Sequence, residues 1–236
     1  MYVNQKVRPP GLSNSEMTTS LYYHGERSEL APLLPSSYKT VLEVGCGEGK
    51  FSRNLRAGSQ IWGCEPNKLA AKEAKKRLTK VFVAKYESIA NKLPNQYFDL
   101  VICNDVIEHM PDHDWFFDSI IKKMKPSGVL VGSIPNMRHL RSLYHLVVKK
   151  DWQYQNSLTL DRTHLRWFTR KSLLNTLERH GFTVEHFIGI NGTQRSLYHV
   201  FLFFINLVTL WQHRDIEYLQ FAFRVGVGKP PNRSLS

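Results

Sequence analysis

The sequence is short of cysteine, with three in 236 residues, and short of acidic side chains, with 20 Asp+Glu against 32 Lys+Arg. It also lacks a long apolar run. The longest, 200–211, is about half of the roughly 20 residues that a membrane span needs, so no transmembrane segment is expected. Lys6 and Arg8 are not followed by an apolar stretch, so no signal peptide is expected either. Cys46, Cys64 and Cys103 each fall at or near the end of an apolar run. They read as small core residues, not as a disulfide framework, and fit a reducing cytoplasm. The formal charge of +12 favours anionic partners such as nucleic acid, phosphosugars or acidic head groups. The basic residues are dispersed, however, and the densest run, Lys72, Lys75, Lys76, Arg77 and Lys80, has the spacing of a solvated helix face. With 42% hydrophobic and 22% charged residues the chain is neither disordered nor fibrous, and its length suits one well-buried domain.

Residues 1–20, rich in Pro, Ser, Thr and Asn, are expected to form a flexible tail, and 229–236 a second one, around a single domain at 21–228. Apolar residues recur at helical spacing over 21–34 until Pro35-Ser36-Ser37. Five short apolar or β-favouring runs follow, at 40–44, 60–65, 80–84, 98–103 and 128–134, separated by helix-like segments near 48–57, 67–78, 86–92 and 113–124. That alternation predicts an α/β fold with a parallel, doubly wound sheet, in which ligands bind beyond the carboxyl ends of the strands. Further on, the pattern predicts helix 137–149, an irregular stretch 150–168, helix 170–180 stopped by Gly181, strand 182–190, an apolar helix 196–211 and a last strand 218–227. In the apolar helix Leu197, Val200, Phe201, Phe204, Leu207, Val208 and Trp211 share a face, which suits packing on the sheet or a homodimer interface better than weak contact with a membrane surface.

Glu43-Val44-Gly45-Cys46-Gly47-Glu48-Gly49 is an apolar strand running into a glycine-rich turn and then a helix, which brings backbone close to a ligand. Its G-x-G-x-G spacing differs from the G-x-G-x-x-G of dinucleotide-binding loops and argues against a nicotinamide oxidoreductase. At the end of the next strand Glu65, followed by Pro66, can accept hydrogen bonds from both hydroxyls of a ribose. Together these features resemble the class I S-adenosylmethionine-dependent methyltransferases, with Glu43–Gly49 like their first motif and Glu65 like their ribose-binding acid. The likeness covers 40–190, helped by Phe98-Asp99-Leu100-Val101 and the Lys125-Pro126-Ser127-Gly128 turn. It implies a Rossmann-like seven-stranded sheet with helices on both faces and a helical C-terminal elaboration. It implies S-adenosylmethionine as cofactor, bound in the half 35–136 by Glu43, Gly45, Cys46, Gly47, Glu65, Pro66, Glu87 and Asn104, with the acceptor in the half 137–228. Where the family commonly has an Asp that accepts from the adenine amino group, this sequence has Lys85, which cannot accept. Glu87, a backbone carbonyl or packing takes that role.

Methyl transfer requires a nucleophile placed in line with the methyl group and relieved of its proton, and a hydroxyl needs a base or a metal for this. Asp105, Glu108 and His109 lie within one short segment after the fourth strand, and His164 lies in Leu160-Asp161-Arg162-Thr163-His164. Two carboxylates and two imidazoles form a candidate site for a divalent cation, Mg²⁺, with substrate oxygens at its open positions. The metal-free alternative makes His109 the general base and leaves His164 to position the acceptor. The D-x-x-E-H segment is similar to the E-x-x-E-H of small-RNA 3′-end ribose 2′-O-methyltransferases and of ubiquinone-pathway O-methyltransferases, with Asp105 a shorter ligand. His164 before Trp167-Phe168-Thr169-Arg170 resembles the histidine that completes a magnesium site in the small-RNA enzymes. Ser133-Ile134-Pro135-Asn136-Met137-Arg138-His139, with that later run, also resembles bacterial methyltransferases of surface-polysaccharide pathways. This implies a sugar or glycan hydroxyl as acceptor, with RNA ribose, a ubiquinone-pathway small molecule, or non-catalytic cofactor binding as alternatives. Against RNA, the sequence has no compact basic stripe with interleaved aromatics.

Overall fold

Seven strands form one sheet in the computed structural model, which describes residues 26–154, 159–192, 207 and 214–228. They are β1 (Thr40–Val44), β2 (Gln60–Cys64), β3 (Lys80–Phe82), β4 (Phe98–Asn104), β5 (Met124–Pro135), β6 (Phe182–Gly192) and β7 (Tyr218–Val227). The order is β3-β2-β1-β4-β5-β7-β6. The first five strands run parallel, and β7 lies antiparallel between β5 and β6. The chain reverses its winding between β1 and β4, which opens a crevice at their carboxyl ends.

Both faces of the sheet are covered, so its central strands read as continuous apolar runs. Leu42, Val101, Leu130 and Phe223 point to one side, against Phe116, Phe117, Leu173 and Leu177. Val41, Leu100, Val131 and Ala222 point to the other, with Leu30, Leu33 and Tyr38. The helices are α1 (Lys68–Ala74), α2 (Tyr86–Ile89), α3 (His113–Lys123), α4 (Leu140–Leu143) and α5 (Arg170–Arg179). Side chains fix three of their starts by accepting from otherwise unpaired backbone N–H groups: Asn67 for α1, Asp112 for α3, and Thr169 for α5, reciprocated by Ser172.

Several expected elements are shorter or differently wound. The helix expected at 48–57 is a single 3₁₀ segment, Lys50–Asn54, because the left-handed Gly45, Gly47 and Gly49 keep the preceding residues in a turn. Of the helix expected at 21–34, the described part, from residue 26 on, holds a 3₁₀ segment, Ser28–Leu33. Helix 137–149 begins only at Leu140 and changes to a π-turn at Tyr144–Val148, since Asn136 accepts from the N–H groups of Arg138 and His139 and holds that start in a turn. Conversely β5 begins at Met124, and the Lys125–Gly128 turn is a register slip inside it, between Phe98↔Met124 and Leu100↔Val129. The cysteines are buried thiols, and Lys72, Lys75, Lys76, Arg77 and Lys80 are exposed. The tails and the segment 196–211 lie outside the described residues, apart from Leu207, which is helical and exposed. Among the described residues no helix is long and apolar enough to cross a membrane.

Candidate functional site

The glycine turn after β1 is strapped to the end of β2, where Cys64 O accepts from Gly45 N at 2.9 Å and Cys46 N at 3.1 Å. Gly45 has φ +69°, and a Cβ there would lie 2.5 Å from Val106 Cγ2, so both conformation and space require glycine. Glu65 is buried and accepts from Gly47 N at 3.0 Å and Asn67 N at 2.8 Å. One carboxylate thus fixes both the turn and the cap of α1. Burial raises its pKa, and those two N–H groups oppose the rise. Behind it Glu43 is buried with Oε2 lacking a hydrogen-bond partner. Its pKa is pushed up to about 8 by burial and by the nearby Glu65 charge. At the end of β4, Asn104 Oδ1 is also buried without a partner. Cys46, in the turn itself, has its thiol pushed well up, first by burial and then by Glu43. Pro66, Lys85 and Glu87 are exposed after β2 and β3. The crevice is therefore rich in carboxyl and amide acceptors, a set suited to a ligand carrying hydroxyls and cationic groups.

A second group forms where the 3₁₀ turn Ile107–His109 meets the segment 159–166. Glu108 O accepts from Leu165 N at 2.8 Å and Arg166 N at 3.1 Å, which docks that segment. Ligand atoms of Glu108, His109 and His164 lie within 4.8 Å of one another. The imidazole rings meet edge to face at 4.8 Å. His109 Nδ1 lies 3.0 Å from Thr163 O and His164 Nδ1 3.1 Å from Thr159 O. A carbonyl can only accept, so each Nδ1 carries a proton, which in a neutral ring makes Nε2 the ligating nitrogen. Glu108 is 1% exposed, and neither carboxylate oxygen has a hydrogen bond. The nearest imidazole approach, His164 Nε2 to Oε1, is 3.9 Å, too long for one. Burial, and then the charge of Asp105, push the Glu108 pKa well up, while burial and His109 lower that of His164. A buried carboxylate left without partners is costly, and backbone carbonyls fixing the far nitrogen are the usual support of metal-ligating histidines.

Asp105 is not brought into this group, contrary to the four-residue set expected from the sequence. It has φ +54°, and its carboxylate accepts from Ser133 Oγ at 2.9 Å and Gln220 Nε2 at 2.7 Å and forms an ion pair with Arg27. Arg27, Ser133 and Gln220 carry no sequence signal for this role: they come from the turn before Ser28, from β5 and from β7. The Thr159 and Thr163 carbonyls, being backbone, leave none either.

A family model described as a methyltransferase domain matches residues 20–187. The chain is 32% identical over 162 residues to a ubiquinone biosynthesis O-methyltransferase of Yersinia enterocolitica, covering 65% of each protein. It is 30% identical to one of Nitrosospira multiformis, over 79% of this chain and 76% of that one. The chain thus spans just under two thirds of the Yersinia relative, and 50% of a similar one from Nitrosomonas europaea. An S-adenosylmethionine-dependent methyltransferase of Archaeoglobus fulgidus shares the fold, with TM-score 0.63 at 20% identity, over 91% of this chain and 100% of that one.

Proposed function

The chain belongs to the family of methyltransferase domains, and on that premise we propose that it transfers the methyl group of S-adenosylmethionine to a hydroxyl oxygen held at Glu108, His109 and His164. An oxygen lone pair forms the new C–O bond, the C–S electrons return to sulfur to leave S-adenosylhomocysteine, and the hydroxyl proton passes to water, or to His109 in the metal-free route. Glu65 and Asn104 offer acceptors to the cofactor's hydroxyl and amino groups, and the cofactor's cationic end would draw the buried Glu43 toward ionisation. The observation that carries the reading is Glu108, a buried carboxyl group without a hydrogen bond, whose ligand atoms lie within 4.8 Å of those of two imidazoles held at Nδ1 by backbone carbonyls. These three residues would hold a divalent cation, which when bound lowers the pKa of the acceptor hydroxyl and orients it. Without Asp105 the set is one oxygen and two nitrogens, which suits Mn²⁺ or Zn²⁺ better than the Mg²⁺ expected from the sequence.

For the acceptor, relatives named for ubiquinone biosynthesis support a small molecule of that pathway's kind. Neither the glycan hydroxyl suggested by 133–139 and 160–170 nor RNA ribose has such support. The test is methyl incorporation from labelled cofactor into dihydroxybenzenes, nucleotide sugars and short RNAs. Incorporation into the first, lost in Glu108→Gln with S-adenosylhomocysteine binding intact, is the expected result. Incorporation at nitrogen or carbon, or full activity of Glu108→Gln, would overturn the reading.

A further inference from the structure

Arg170 and Lys171 occupy the first two positions of α5, and its first turn contains no acidic residue. A helix start disfavours cations, because its N–H groups and dipole already present positive charge. These two side chains line a cleft of about 460 Å³, which Arg138, Arg214 and Asp215 also line. Asp215 is paired with Arg138 at 3.0 Å, although without hydrogen-bond alignment. Among the described residues the cleft walls therefore carry four cationic side chains and one carboxylate, the latter paired with Arg138.

The cleft is built on aromatic rings. Phe187 and Phe221 lie 5.2 Å apart, and the Arg170 guanidinium sits 5.3 Å from the Phe187 ring centre. The Tyr218 ring lies over Gly189, where a Cβ would come within 2.1 Å of it, so glycine at that position lets the ring rest on the sheet. Fully buried Asn136 ties the walls together. Its Nδ2 donates to the carbonyls of Asp215 at 2.7 Å and Tyr218 at 2.9 Å, and its Oδ1 accepts from Arg138 N. Its backbone bridges to Phe168, between His164 and Arg170. From β7, beside Tyr218 and Phe221, Gln220 reaches Asp105. The cleft thus borders the elements that carry the Glu108–His109–His164 group.

Charge is separated between the two regions. The crevice and the histidine group carry the acidic side chains Glu43, Glu65, Asp105 and Glu108, the third already paired with Arg27, and hold no cationic excess for an anion, whereas the cleft attracts one. We propose that the cleft is the anion subsite of the acceptor, which carries an oxyanion, a carboxylate or a phosphate, gripped by arginines whose planar donor pairs match either group. The ring-bearing remainder rests on the aromatic floor. This inference rests on the reading of the chain as an O-methyltransferase.

The test uses the full chain saturated with S-adenosylhomocysteine and calorimetry with two matched pairs of probes, 3,4-dihydroxybenzoate against catechol and glucose 6-phosphate against glucose. The charged member of at least one pair is expected to bind about tenfold or more tightly than its neutral partner, and the pair that shows this distinguishes carboxylate from phosphate. The advantage should disappear in Arg170→Gln/Lys171→Gln and shrink in Arg214→Gln, all exposed positions, with S-adenosylhomocysteine affinity unchanged. Equal or undetectable binding within both pairs, or an advantage that survives these substitutions, overturns the proposal. So does a short RNA that outcompetes both charged probes through the same residues. Binding is read without turnover, so intact, cleft-dependent anion binding with no methyl transfer overturns only the reading of the activity.

Discussion

Arg27 and Asp105 both hold left-handed backbone, with φ of 52° and 54°, and their side chains form an ion pair across 78 residues of sequence. Their turns aim the two side chains at each other. Asp105 faces Ser133 and Gln220 on neighbouring strands, while Glu108 and His109 continue to the segment that carries His164. Asp105→Asn keeps a residue that tolerates left-handed backbone and should cost about 1 kcal/mol, whereas Asp105→Val adds β-branched strain and leaves Arg27 only Glu29 and Ser133 as partners, for roughly 2 kcal/mol or more. Urea denaturation of both variants measures this. Metal affinity should survive Asp105→Asn, and its loss would return Asp105 to the ligand set.

Removal of the cation should distinguish the two routes for the hydroxyl proton. Exhaustive chelation is expected to lower turnover by about 100-fold, with Mn²⁺ or Zn²⁺ restoring it more fully than Mg²⁺. His164→Ala should stay inactive under every metal while binding S-adenosylhomocysteine normally. Unchanged turnover after chelation leaves His109 as general base.

The acceptor-rich crevice predicts a defined cofactor footprint. Glu65→Ala should weaken S-adenosylhomocysteine binding by about 1–3 kcal/mol in calorimetry, as for loss of a charged hydrogen-bond partner. Gly45→Ala should be worse, because its Cβ collides with Val106 at a positive φ. Lys85→Met should leave affinity within about tenfold, since an ammonium offers the adenine amino group no acceptor. A larger loss would place Lys85 in the binding site.

Glu43 predicts a pH dependence of stability. Its pKa is raised from an ordinary 4.5 to about 8 by burial and Glu65. Below the lower value both states hold the proton. Between the two, only the unfolded chain releases it, so Glu43 draws stability down as pH rises and the loss is complete above the folded value. Relative to Glu43→Gln, the wild-type urea midpoint should therefore fall steadily between about pH 4.5 and pH 8. Parallel profiles for the two proteins would show that Glu43 ionises freely in the folded state.

The sequence by itself determined the order of the strands and where most of them lie, the glycine turn with Glu65 beyond it, and Glu108, His109 and His164 as the chemical candidates. Those features are local: alternating or continuous apolar runs, glycine where backbone turns left-handed, and residue types with fixed chemistry. Only the tertiary structure decided that Asp105 leaves the ligand group for Arg27, that a turn expected before β5 is a slip within it, and that Arg138, Arg170, Lys171 and Arg214 share one cleft. Each depends on which carbonyl, strand or helix start a side chain meets across long separations in sequence, and residue spacing along the chain carries no record of that meeting.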